Sequence, residues 1–114
     1  MTRYSEEDAL KELKDLESII MAGTENLLRN KNYREVARLL VSIDNEIYET
    51  EREARRLRLM GRLNYEVYRT PMEGYIELQK QIIELSEKHG LESDVRSFYH
   101  FLKVEASMAR RSRR

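Results

Sequence analysis

An all-α fold, an antiparallel four-helix bundle, is what this sequence predicts, and three observations predict it. Apolar side chains recur at steps of three and four through most of the chain, which lays them along one side of an α-helix. No stretch alternates apolar and polar residues as a half-buried strand does. The gaps between periodic stretches are short and hold Asn, Gly or Pro, the residues that turn or cap a chain. At 114 residues the chain is the size of one domain, with a core large enough to need no staples.

The first helix is expected over 5–29. Ser5 followed by Asp8 resembles an N-cap with an acidic third residue, and Glu6 and Glu7 suit the positive end of the helix dipole. Leu10, Leu13, Leu16, Ile20, Thr24 and Leu27 then share one face. Gly23 weakens this helix by about 1 kcal/mol relative to Ala without ending it. Asn30-Lys31-Asn32 is a turn by composition, with Asn32 placed to cap the second helix.

That second helix, 33–59, is the longest. Val36, Leu40, Ile43, Ile47, Ala54 and Leu57 form its apolar stripe, and Glu35, Arg38, Ser42, Asn45, Glu49, Arg52 and Arg56 its polar side. Beyond Leu57 the apolar residues Leu59, Met60, Leu63 and Val67 would fall on the opposite side if the helix continued. A stripe cannot change sides on a straight helix and stay buried, so a break belongs near Met60-Gly61, with a short extra helix near 62–69.

Thr70-Pro71-Met72-Glu73 reads as a helix start: Thr as the cap, Pro at the first helical position, Glu reaching back. The third long helix is therefore expected over 71–89, with Met72, Tyr75, Ile76, Ile82, Ile83 and Leu85 inward. His89-Gly90-Leu91 ends it, Gly taking the left-handed position and Leu91 covering the last turn. The fourth helix, 93–110, turns Val95, Phe98, Tyr99, Leu102, Ala106 and Ala109 inward, and 110–114 form a basic, frayed tail.

Composition excludes several chemistries. There is no cysteine, hence no disulfide, thiolate nucleophile or thiolate-held metal. The acidic first residues lack the apolar core of a signal peptide, and no window approaches the roughly 18 apolar residues of a spanning helix. A cytoplasmic protein with no membrane partner is expected. Charged residues make up 37% of the chain and cancel to a net charge of zero. They cancel by blocks: acids prevail in 1–28 and 72–94, arginines in 52–69 and 95–114. Acidic and basic helices lying side by side would neutralise one another.

A di-iron bundle needs Glu-x-x-His pairs, but Ser86 precedes His89 and Ser97 precedes His100 at that spacing. No metalloprotease, P-loop or dinucleotide-binding motif is present. No metal, cofactor or catalytic residue is expected, and the chain reads as a non-enzyme. His89 suits a helix C-terminus. Four polar residues fall within the apolar stripes, Glu17, Thr50, Gln79 and Glu105, one on each long helix. Each Glu would have to be paired, protonated or at the rim; meeting in one layer, the four would make either a register-fixing network or a small cation or ligand site.

Two candidate surfaces remain. Arg52, Arg55, Arg56, Arg58 and Arg62, with Arg96, His100, Arg110, Arg111, Arg113 and Arg114, are candidate contacts to a polyanion, and Tyr65 and Tyr68 lie where aromatics would stack on unpaired bases. Against this, acids are interleaved and the whole chain has no positive excess. A second, weaker stripe on the longest helix, Ala37, Val41 and Tyr48, is a candidate oligomer face, and Phe101 and Val104 also stray from the inward arc.

The stretch Asn32–Leu40 resembles the hairpin start of tetratricopeptide or HEPN-type helical domains. A HEPN nuclease also carries an Arg followed by a His across a longer gap than the three residues between Arg96 and His100, so an RNase, or another small helical enzyme with a carboxylate or His100 site, is the least supported reading. The expectation is a non-enzymatic helical interaction or scaffold module that forms a homo-oligomer, a dimer, or binds a partner protein. A nucleic-acid-binding accessory protein is the alternative.

Overall fold

The computed structural model describes residues 6–61 and 65–112, with side chains at 11, 14–61 and 69–109. Four helices fill that length: α1 (Glu6–Arg29), α2 (Tyr33–Leu59), α3 (Tyr65–Lys88) and α4 (Glu92–Ser112). No strand occurs among the described residues. The fold is an all-α bundle, and the first, second and fourth helices begin and end within a residue or two of the positions their periodicity predicts. Ser5, the expected cap of α1, lies outside the described residues.

The third helix departs from the expected pattern. The break after α2 is real: Met60 caps it and Gly61 takes φ 68°. The second break is not. Pro71 sits inside α3, which starts at Tyr65 and absorbs the separate short helix expected near 62–69. Proline's fixed φ fits a helix, and its cost is one lost N–H bond and crowding against the carbonyl four residues back. Within the first two turns of a helix that packs on its neighbours, burial outweighs that local cost.

Two turns close the chain in the same way. After α1, Lys31 N–H donates to the Leu28 carbonyl at 3.0 Å and Asn32 N–H to that of Leu27 at 2.8 Å. After α3, Gly90 N–H donates to the Glu87 carbonyl at 2.9 Å and Leu91 N–H to that of Ser86 at 2.9 Å. Each pair satisfies carbonyls that a helix end leaves unmatched, and each needs a left-handed residue. Gly90 supplies it at φ 71°, but Lys31 does so at φ 57° with a side chain. Asn32 then accepts from Glu35 N–H and caps α2, as its position in the sequence predicts.

Cross-helix contacts give the directions. Gln79 of α3 meets Leu40 and Asp44 of α2, and the charge of Glu46 lies near Tyr75, so α2 and α3 run antiparallel. Phe98 lies by Arg34 and Arg38, and Lys103 by Asp44, so α2 and α4 run the same way. His89 at the end of α3 meets Glu25 near the end of α1. Both tight turns therefore share one end of the molecule.

The core lies at that turn end. Leu28, Val36, Leu40, Ile43, Leu78, Ile82 and Val95 form one buried cluster, all within about three helical turns of a connection. Each contributes roughly 2–3 kcal/mol by leaving water. Thr24 and Ser86 are fully buried beside them, and each hydroxyl donates to its own helix, to the Ile20 and Ile82 carbonyls at 2.8 Å. Leu78 and Ser86 are buried although neither belongs to the expected inward set; Ile76, expected inside, is exposed. The inward line of α3 runs Tyr75, Leu78, Ile82, Leu85 and not through Ile76.

Toward the other end the helices separate. Among the described residues α1 and α4 each touch α2 and α3 but not one another. The Cα radius of gyration is 16.5 Å, against about 13 Å for a compact chain of this length. The extents are 45 × 41 × 21 Å: two helices thick, and about one helix length in each other direction.

Candidate interaction site

Where α2, α3 and α4 converge, a polar clasp centres on Asp44. Its Oδ1 accepts from Gln79 Nε2 at 2.8 Å, and its Oδ2 accepts from the Tyr99 hydroxyl. Gln79 Nε2 also donates to the Leu40 carbonyl at 3.1 Å, using an oxygen with a spare lone pair. Lys103 Nζ stands 3.8 Å from Asp44 Oδ2 and 5.1 Å from the centre of the Tyr99 ring. Burial raises the Tyr99 hydroxyl well above the usual phenol range, and its bond to Asp44 adds to this. Asp44 is engaged on both oxygens. The clasp is chemistry for holding three helices in register.

A groove of about 410 Å³ adjoins the clasp between α3 and α4, floored by Leu40, Ile83 and Tyr99 and rimmed by Lys80, Glu84 and Arg96. Arg96 is held by Glu92 at 2.8 Å. Among the described residues no buried side-chain nitrogen or oxygen lacks a partner, and no group of three His, Asp or Glu is placed to hold a metal.

At the turn end His89 Nε2 lies 3.0 Å from Glu25 Oε1, and Arg29 Nε lies 3.2 Å from the same oxygen. The hydrogen bond with His89, then the nearby charges of His89 and Arg29, hold the Glu25 carboxyl below the usual range against a smaller opposing effect of burial. This pair ties α1 to α3.

An aromatic and arginine cluster covers the start of α2. Tyr33 meets Phe98 edge-on at 6.3 Å, and Phe98 stacks on Phe101 at 5.8 Å. The Arg34 guanidinium lies 5.5 Å from the Phe98 ring centre and that of Arg38 lies 5.7 Å away. Arg38 also pairs with Glu35. Phe101 is 56% exposed and Val104, one turn on, 44%. On α1, Leu16 and Ile19 are 45% and 69% exposed. Tyr48, Leu59, Met60 and Ile76 add exposed apolar area on α2, its cap and α3.

The residues singled out from the sequence have unequal fates. Of the polar set, only Gln79 enters a cross-helix bond. Thr50 donates to the Glu46 carbonyl of its own helix, Glu17 is half-buried, and Glu105 is exposed. The four do not form one layer, because the helices diverge before reaching Glu17, Thr50 and Glu105. The carboxylate that does bridge helices, Asp44, is legible in the spacing: it follows Leu40 by four and precedes Ile47 by three, squarely on the apolar stripe.

Ala37, expected on an oligomer face, is fully buried. It sits next to Val36 where α2 is enclosed by its neighbours on more than one side, so the face is reduced to half-buried Val41 and exposed Tyr48. Arg52, Arg55, Arg56, Arg58, Arg96 and His100 are exposed. Glu53 holds Arg56 at 2.6 Å, and that bond with its charge lowers the Glu53 carboxyl. Arg62, Arg113 and Arg114 lie outside the described residues, as do the side chains of Tyr65, Tyr68, Arg110 and Arg111.

Among the described residues no helix is long and apolar enough to cross a membrane. Comparison with protein-family models, with curated proteins and with solved structures gives no match to this chain.

Proposed function

We propose that this chain is a non-enzymatic helical interaction module that self-associates and presents a charged surface to a protein partner in the cytoplasm. One observation carries the reading: all four helices keep large apolar residues exposed beyond the core, Leu16 and Ile19 on α1, Leu59 on α2, Ile76 on α3, Phe101 and Val104 on α4. Scattered singly, such residues are ordinary. Here they occur in pairs at helical spacing on α1 and α4, in a molecule flatter and wider than a closed bundle, and apolar area of this kind marks an association surface. The zero net charge sets no long-range repulsion against pairing of copies.

Sedimentation equilibrium over a hundredfold concentration range tests this. The expected result is a mass rising above the 13.7 kDa of one chain. A mass of one chain at every concentration overturns self-association.

A second reading, nucleic-acid binding, has its own support. Arg52, Arg55 and Arg58 are exposed and carry no ion pair among the described residues, and Arg34 lies on the Phe98 ring beside exposed Phe101, a combination that suits unpaired bases. Steeply salt-dependent binding of a fluorescent single strand, lost in Arg52→Ala/Arg55→Ala/Arg58→Ala, would move the conclusion to this reading.

A further inference from the structure

We infer that the self-association proposed above, on which this inference rests, is made by α1 of one copy docking on α4 of another. In a closed four-helix bundle the first and last helices are neighbours; here they do not touch among the described residues. Each keeps an exposed apolar pair at helical spacing: Leu16 and Ile19 on α1, Phe101 and Val104 on α4. Phe101 and Val104 do not face the core of their own chain; on α1, Leu16 shares the face of buried Thr24 yet stays 45% exposed, and Ile19 turns well away from it at 69%. Counted at roughly 100° per residue, Val104 stands on the opposite side of α4 from buried Val95, and Phe101 about 120° round from it. A helix apolar on two sides needs cover on two sides, and the chain itself covers one.

Charge selects the occupant. Residues 1–28 hold three basic side chains against seven acidic, whereas residues 95–114 hold six basic against Glu105 alone. Pairing α4 with α4 would set basic helices together, and α1 with α1 would set acidic ones together; like charges brought close are repelled. Of the pairings open to these two helices, only α1 with α4 is attractive in both apolar and electrostatic terms. Arg34, beside Phe98 and without an ion pair among the described residues, lies at the edge of the α4 face, and exposed Asp15 lies at the edge of the α1 face. Gly23, on the same side of α1 as Leu16 and Ile19, has nothing within 4 Å of where a Cβ would stand, so a neighbouring helix can approach the backbone there. Two different surfaces meeting in this way close into a dimer if both contacts form reciprocally, and into a ring or chain if they do not.

The chain has no cysteine, so single thiols report contacts without background. Ile19→Cys and Val104→Cys proteins, prepared separately, are mixed in equal amounts, oxidised and separated on non-reducing gels. The expected product is the mixed Ile19–Val104 disulfide, several-fold over either symmetric one. Predominance of a symmetric product, or no cross-link, overturns the pairing. Sedimentation of the wild type separates the two failures: mass above one chain without the mixed product sinks only this pairing, and mass of one chain sinks self-association as well. As a second variant, Phe101→Glu should weaken association at least tenfold while helicity by circular dichroism stays unchanged. Unchanged association contradicts the inference.

Discussion

The two ends of this molecule obey different rules. At the turn end, Leu28, Val36, Leu40, Ile82 and Val95 are almost wholly out of water, two turns share one hydrogen-bond pattern, and His89 ties α3 to α1. Elsewhere apolar residues of similar size stand exposed: Leu59 at the open end of α2, and Ile76 and Ile19 on sides of α3 and α1 that no neighbouring helix covers among the described residues. Hydrophobic surface is used for folding at the turn end and left available elsewhere. A side chain's type therefore says little here about its energetic role; the side of the helix it occupies and its distance from the two connections together say more.

The largest effect that would sharpen the contrast is truncation of matched residues. Ile82→Ala should lower unfolding free energy by about 3–4 kcal/mol, because its fully buried side chain leaves a cavity. Ile76→Ala on the same helix, 54% exposed, should cost under about 0.5 kcal/mol in dilute protein. Urea denaturation of both variants checks this, and similar losses would erase the distinction between covered and uncovered apolar surface.

Next in size is the Asp44 clasp, at the border of the two regions. Asp44→Ala leaves half-buried Gln79 and Tyr99 without their shared acceptor, a loss of roughly 1–3 kcal/mol. The clasp also sets an alkaline limit. Tyr99 has its hydroxyl raised in the folded state, so its contribution is complete below the unfolded value of about 10 and is lost as pH rises above it. Thermal denaturation between pH 8 and 11 should show a smaller decline in Tyr99→Phe than in the wild type.

The two equivalent turns give a smaller, paired test. Gly90→Ala puts a side chain at φ 71° and should cost about 1 kcal/mol, whereas Lys31→Gly relieves one at φ 57° and should gain several tenths of a kcal/mol. Opposite signs at two sites sharing one hydrogen-bond pattern are the expected outcome by chemical denaturation; equal signs would show that the turns are not equivalent.

The smallest effect is acid sensitivity at the turn end. Glu25 has its carboxyl lowered by His89 and Arg29. Its contribution is present above the unfolded value of about 4.3 and is lost as pH falls through the folded value. Glu25→Gln should lower the melting temperature slightly at pH 7 and flatten its decline between pH 5 and 3, so that the variant and the wild type converge in acid.

Much of this fold is legible from residue spacing. The stripe of α2, the break at Met60-Gly61, the Asn32 cap and the Gly90 stop are local features, and local rules place them. Pro71 misleads because a cap signature is a local preference and α3 is held by packing along its whole length. Ile76 and Leu78 flank opposite edges of one arc of α3, and only the neighbouring helices decide which edge is covered. Asp44 escapes a stripe traced through apolar residues alone, although its spacing from Leu40 and Ile47 puts it on that stripe. A polar layer of Glu17, Thr50, Gln79 and Glu105 depends on four helices staying parallel to their ends, and no spacing within one helix reports that they diverge.

Hydrogen exchange at two protein concentrations tests the central claim most directly. Amides near Leu28, Val36, Ile82 and Val95 should be strongly protected at both, and amides around residues 16–19 and 101–104 should gain protection as concentration rises. Uniform protection along all four helices, unaffected by concentration, would contradict the division into surface that folds and surface that docks.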